Sequence, residues 1–186
     1  INAKILFFFS ILRMIFIYLR LNMPNRTLDR IDYRILHFIQ NDARMSNAEL
    51  AEAVGLSPSP CLRRVKRLER AGIIKRYVGI VDASAVGLPI SAFVSISLHS
   101  QDRDGLEAFQ SRVKTYPEVM ECYLMTGTSD FLMRVVVPNL QSYERFADKL
   151  TRIPGISNIQ TSFALKPVVY KTELPLEAGI IQSTFK

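Results

Sequence analysis

The chain has 186 residues, 48% of them hydrophobic and 22% charged, which is enough to bury one or two ordinary cores. Its net charge of +7, with a pI near 9.6, suits a polyanionic partner without requiring one. Two cysteines, Cys61 and Cys122, lie far apart, which excludes a zinc-finger spacing and a disulfide framework; Cys61 reads as a small buried hydrophobe.

The charge is unevenly spread. Residues 1–22 carry three cations and no acid, residues 23–82 carry eleven cations against seven acids, and residues 83–186 carry ten of each. Residues 1–22 are almost wholly apolar, but Arg13 interrupts the run, which is short for a membrane span and lacks a clear cleavage site. Met23 follows with a polar Pro-Asn-Arg-Thr stretch, so residues 1–22 are expected to be a non-native upstream extension and Met23 the start.

Thr27 is expected to cap a first helix over Leu28–Gln40, with Leu28, Ile31, Ile35 and Ile39 on one face and Asp29 and Asp32 favourably placed in its first turn. His37 reads as a surface residue. Met45–Ile74 then carries two more helix signatures. Ser46 and Glu49 form a capping box, Leu50, Ala51 and Val54 recur at helical spacing, and Gly55 stands where a helix end requires positive φ. Ser57 caps the next helix with Pro58 at its first position. Cys61, Leu62, Val65 and Leu68 are expected to face inward there, leaving Arg63, Arg64, Lys66, Arg67 and Arg70 outward until Gly72 ends the helix. From Ser57 to Arg76 there are seven Lys/Arg against Glu69 alone. Helix, glycine turn and a cationic helix make a helix-turn-helix (motif 47–66), whose second helix enters the major groove of DNA. Guanidinium forks suit guanine edges and phosphates, and serine hydroxyls at a helix N-terminus suit phosphate oxygens.

The β-branched stretch Ile73–Val81 reads as one or two strands of a wing or linker hairpin, with Lys75 and Arg76 either touching backbone phosphates or only solvated. Residues 23–82 are thus expected to form the DNA-binding domain and residues 83–88 a linker. The second half alternates differently. Ile90–Leu98 is a period-two strand, Asp102–Tyr116 a helix using Leu106, Phe109 and Val113, and Val119–Met125 a strand. Gly127–Asp130 is a turn, Phe131–Val137 a strand, Leu140–Ile153 a helix, and Ile156–Leu165 the last strand, resuming as Val168–Tyr170. Tyr116-Pro117-Glu118-Val119 recurs as Ile153-Pro154-Gly155-Ile156, 37 residues on. Two copies of helix, proline turn and strand imply a ferredoxin-like βαββαβ sandwich over residues 89–171, the whole chain being α+β. Its open sheet face is expected to be apolar enough to require a dimer, which two operator half-sites also need. Residues 172–186 read as a loosely docked tail.

Leu28-Asp29-Arg30-Ile31-Asp32, the phrase Gly55–Val65 and Arg67-Leu68-Glu69-Arg70-Ala71-Gly72-Ile73-Ile74 resemble the leucine-responsive/AsnC (feast/famine) transcription regulators. The resemblance spans about Asn25 to Lys171. It implies a winged helix-turn-helix joined to a ferredoxin-like effector domain, homodimers that assemble into octamers or similar discs, pseudo-palindromic operators and a response to amino acids. Carried over, the DNA contacts are Ser46, Asn47, Ser57, Ser59, Arg63, Arg64, Lys66, Arg67 and Arg70. The effector pocket, which the resemblance places between subunits near the turn after the second strand, is Thr126, Gly127, Thr128, Ser129 and Asp130, with Leu124, Leu140 and Ser162 lining the same region. The family's Gly-variable-variable-Asp pattern is kept by Gly127 and Asp130, while Thr128 replaces a commonly acidic residue. Gly127 would let backbone N–H groups approach a carboxylate and Asp130 would accept from an α-ammonium; the alternative is a plain hairpin glycine and a capping aspartate.

No nucleophile elbow, phosphate loop, metal cluster or paired carboxylates are legible, so neither an enzyme nor a resident cofactor is expected. The expected location is the cytoplasm, on the nucleoid. Two readings from other classes compete: an architectural DNA-coating protein without effector, and an amino-acid-sensing oligomer that binds no DNA.

Overall fold

The computed structural model describes residues 28–176; the expectations for residues 1–22 and for Thr27 fall outside that range. The chain divides into two compact units, one of residues 28–80 together with 168–176, the other of residues 81–167.

The first unit is three helices, α1 (Arg30–Asn41), α2 (Asn47–Val54) and α3 (Pro58–Arg70). Asp29 caps α1. Its carboxylate accepts from the Asp32 N–H and the Asp32 carboxylate accepts from the Asp29 N–H, a reciprocal box that satisfies two orphan donors. Ser46 and Glu49 close the same box on α2. Gly55 ends α2 at φ +74°, and the next N–H, that of Leu56, donates to the Ala51 carbonyl at 2.8 Å. The chain then reverses directly into α3, with Pro58 in its first turn. Ile35, Leu36, Leu50, Ala51, Val54, Cys61 and Leu68 form the buried core. Leu62 is not part of it and is 41% exposed. At 100° per residue it stands about 100° away from Cys61, whereas Val65 and Leu68 fall back beside Cys61.

No strand forms over residues 73–81, against the expected wing, and Val168–Tyr170 forms none either. β-branched composition favours extension, but a strand also needs a neighbour to take its N–H and C=O groups, and neither segment has one among the described residues. The described part of the tail, residues 172–176, is by contrast tied to α1. Gln40 on α1 exchanges two hydrogen bonds with the Leu174 backbone, Asn41 donates to Glu173 at 3.0 Å, His37 lies 3.3 Å from the same carboxylate, and Leu176 joins the core.

The second unit runs β1 (Ile90–Leu98), α4 (Arg103–Val113), β2 (Val119–Leu124), β3 (Phe131–Val137), α5 (Leu140–Thr151), β4 (Ile156–Phe163). The sheet order is β2-β3-β1-β4 with every neighbouring pair antiparallel, the ferredoxin-like arrangement. Alternation sorts the strands: Ala92, Val94, Ile96, Phe131, Met133, Val135 and Val137 face the helices, which contribute Phe109, Val113, Tyr143, Phe146 and Leu150. Phe109 and Phe131 centre the core, with ring centroids 4.4 Å apart. The proline turns of the repeat sit at equivalent places, each between a helix and the strand it feeds. The open face is less apolar than expected. Phe93, Tyr123, Leu132 and Val136 share it with Ser91, Ser95, Gln160 and Ser162 and with the Arg134–Glu121 ion pair at 3.2 Å.

Candidate DNA-reading helix and effector turn

Helix α3 carries the cations, and its periodicity divides them. Ser59, Arg63, Lys66 and Arg70 recur at spacings of four, three and four, which places them within about 60° of one another on the side opposite Cys61. All four are exposed, and among the described residues no carboxylate lies within ion-pairing distance of Arg63, Lys66 or Arg70. Ser57, exposed at the helix N-cap, makes no side-chain capping bond, so its hydroxyl is not committed there.

Arg64 and Arg67 are not outward cations of this kind. Asp32, 1% exposed on α1, accepts from Arg64 Nη1 at 2.9 Å through Oδ1 and from Arg67 Nη2 through Oδ2. The same Arg64 nitrogen donates to Asp29 at 2.6 Å. Partial burial opposes the Asp29 charge, but the Arg64 guanidinium and the Asp32 N–H outweigh it and hold the carboxyl below its ordinary value; Asp29 and Asp32 in turn hold Arg64 above its own. The reason lies in the wheel. Arg64 and Arg67 flank the apolar stripe on the side nearest α1, where desolvation makes a carboxylate partner effective. Asn47 is also engaged: its amide donates to the Pro58 carbonyl at 2.8 Å and ties the start of α2 to the start of α3. The Ser46 hydroxyl accepts from Glu49 as a cap. Tyr77 donates to Glu69 at 2.8 Å, and burial together with that bond pushes its phenol up to about 12.

In the second unit Gly127 adopts φ +138°, a conformation that favours glycine. Asp130 is buried, and its carboxylate is fully engaged by its own chain. The Leu98 N–H donates to Oδ2 at 2.7 Å and Gln101 Nε2 to Oδ1 at 2.5 Å, so the carboxylate ties the β2–β3 turn to the segment between β1 and α4. Thr126, Gly127 and Thr128 remain exposed beside it, and Ser129 half-buried. Within one chain Leu140 does not line this region. It follows the far end of β3, roughly 20 Å from the turn at 3.3 Å per residue, because the whole strand lies between them. Ser162 is likewise remote, opposite Phe93 in mid-strand. An open groove of about 880 Å³ runs along β2 beside α4; it takes in Leu124, Cys122, Val113 and Phe131 but none of residues 126–130.

Residues 28–75 match the family model for winged helix-turn-helix DNA-binding, and residues 91–174 match the Lrp/AsnC ligand binding domain. A Bkd operon transcriptional regulator from Pseudomonas aeruginosa is 44% identical over 150 residues, which span 80% of this chain and 98% of the relative. The chain belongs to the Lrp/AsnC family of DNA-binding transcriptional regulators. The leucine-responsive regulatory protein of Escherichia coli K12 is 37% identical over 155 residues, covering 83% of this Lrp/AsnC chain and 94% of that protein. A transcriptional regulator from Neisseria meningitidis, crystallised as an L-Met complex, superposes with a TM-score of 0.77 at 39% identity, over 81% of this chain and 97% of that one. An AsnC family regulator from Agrobacterium tumefaciens gives 0.76 at 39% identity, over 80% and 97%.

Sequence reasoning missed three partners: Asp29 and Asp32 were read only as acids at a helix start, and Gln101 was not singled out. The signal for the first two was present. Acids three apart on α1 facing arginines three apart on α3 make a complementary pair of half-turns, but only the crossing of the helices brings them together.

Proposed function

We propose that this Lrp/AsnC regulator reads duplex DNA with the N-terminal half and outer stripe of α3, through Ser57, Ser59, Arg63, Lys66 and Arg70. The observation that carries the reading is that stripe: three exposed arginine and lysine side chains with no ion-pair partner among the described residues, on a helix whose start is fixed by the Gly55 reversal. Ser46 and Asn47 lie at the start of α2; the Ser46 N–H is held by the Glu49 carboxylate, and the Asn47 backbone N–H suits a phosphate. Two readers in a homodimer, and a higher homo-oligomer of such dimers, engage two half-sites one helical turn apart, about 34–36 Å. An amino acid binds at the exposed turn Thr126–Ser129, with Asp130 holding that turn in shape; the L-Met complex of the Neisseria meningitidis relative supports an amino acid as effector. Among the described residues no helix is long and apolar enough to cross a membrane, in keeping with a cytoplasmic, nucleoid-associated regulator.

The test is a titration of the purified protein against duplex fragments from its own upstream region, with and without a panel of amino acids. Specific retardation that an amino acid modulates is the expected result. Binding indifferent to every amino acid would point to an architectural role. Absence of binding at low salt would leave a sensing oligomer and refute the reading.

A further inference from the structure

The five cations of α3 are not equivalent, and the cause is a carboxylate on another helix. Asp32 is 1% exposed, and both its oxygens are engaged: Oδ1 by Arg64, Oδ2 by Arg67 and by the Asp29 N–H at 3.2 Å. Arg64 also bridges to Asp29, so two acids and two arginines form a locally neutral group. We propose that Asp32 is the positioning residue of the reader, and that Arg64 and Arg67 are its anchors rather than DNA contacts. The proposal rests on the reading of α3 as the DNA-facing helix.

The geometry makes an anchor of this pair. Arg64 and Arg67 stand one turn apart on α3, and each donates to a different oxygen of one carboxylate. A planar carboxylate held at two points resists both rotation of α3 about its axis and sliding along it. Rotation is the motion that matters to a reader. A turn of about 60° would carry the stripe of Ser59, Arg63, Lys66 and Arg70 off the face opposite the core. The apolar residues alone would tolerate more, since hydrophobic contact is non-directional. The anchor also sets the charge offered to DNA. Counting Asp29 and Asp32 together with Glu69 against the seven cations of Ser57–Arg76 leaves +4 rather than +6. Base selectivity therefore depends on residues that touch no base.

Fluorescence anisotropy of an operator duplex and a scrambled duplex, across a salt series, separates anchors from contacts. Each lost phosphate contact lowers the log–log salt slope by about 0.9 per reader bound. Arg63→Gln and Arg70→Gln are expected to lower the slope. Arg64→Gln and Arg67→Gln are expected to leave it unchanged while the operator-over-scrambled ratio falls about tenfold. Asp32→Asn is expected to steepen the slope, because two cations per reader are released, and to lower the same ratio. Circular dichroism confirms folding of each variant. Arg67→Gln, which loses one bond from a half-exposed side chain, keeps the test open if Asp32→Asn does not fold. Equal loss of slope in Arg64→Gln, Arg67→Gln and Arg63→Gln would overturn the assignment, as would an unchanged operator-over-scrambled ratio in Arg67→Gln. An unchanged slope in Arg63→Gln and Arg70→Gln as well would refute α3 as the DNA-facing helix, and the anchor with it.

Discussion

Asp130 offers the sharpest separation of structural from ligand-binding roles. Its carboxylate accepts a 2.7 Å bond from the Leu98 N–H, itself almost wholly buried at the end of β1, and a 2.5 Å bond from the more exposed Gln101 amide. A hydrogen bond to a charged group contributes about 1.5–3 kcal/mol, and an exposed side-chain bond about 0.5–1 kcal/mol. Asp130→Ala removes both and leaves the Leu98 donor unpaired, so the effector unit should lose about 2–4 kcal/mol. Asp130→Asn keeps an acceptor for Leu98 and should lose about half as much. The chain contains no tryptophan, so urea unfolding is followed by far-UV circular dichroism, with hydrogen exchange at Leu98 as a local reporter. A Gln101→Ala background isolates the second bond: the double-mutant coupling should be about 0.5–1 kcal/mol. An Asp130→Ala loss below about 0.5 kcal/mol, with Leu98 exchange unchanged, would refute the tie. Calorimetric titration with amino acids on Asp130→Asn then asks whether a ligand also uses this carboxylate. Affinity retained at a stability cost assigns it to the turn alone.

Other consequences are equally direct. Gly55 sits at φ +74° with open space where a Cβ would stand, so Gly55→Ala meets no clash and should cost only the left-handed strain less the gain from a stiffer unfolded chain, about 1 kcal/mol; Gly55→Asn should cost less, by urea unfolding. Replacing Leu176 and Gln40 by Ala should release the tail, destabilise the three-helix unit by about 1 kcal/mol and speed hydrogen exchange at the C-terminal turn of α1. Glu118 is opposed by burial but held below its ordinary value of 4.5 by Lys149 at 2.8 Å, and Asp29 lies below its ordinary 3.8 for the reasons given above. A carboxyl depressed in the folded state adds stability that is present above its unfolded value and is lost as pH falls through the folded one. Stability should therefore hold from pH 7 to about 5 and fall below the ordinary carboxylate range, with a shallower fall in the effector unit of Glu118→Gln, measured by thermal melting across pH.

Much of this architecture was legible because the signals are local. The Ser46/Glu49 box, the Gly55 reversal, Pro58 in the first turn of α3 and the alternation of Ile90–Leu98 each act over a few residues, so spacing along the chain is spacing in space. The repeated proline turns carried the βαββαβ order for the same reason. Tertiary structure decided what depends on distant partners. Arg64 and Arg67 look identical to Arg63 in sequence, and only the approach of α1 to α3, across more than thirty residues of chain, turns them toward Asp32. The β-branched segment after Gly72 has the composition of a strand but no neighbour to pair with among the described residues, and it is irregular. Leu140 and the turn at 126–130 are neighbours in the expected site, yet within one chain the length of β3 separates them, so only a second subunit could bring them together. Thus the sequence by itself determined the helices of the reader and the βαββαβ order, which short-range backbone and side-chain preferences dictate, and the fold alone decided which extended segments pair and which charges meet, because both are set by geometry that no local pattern encodes.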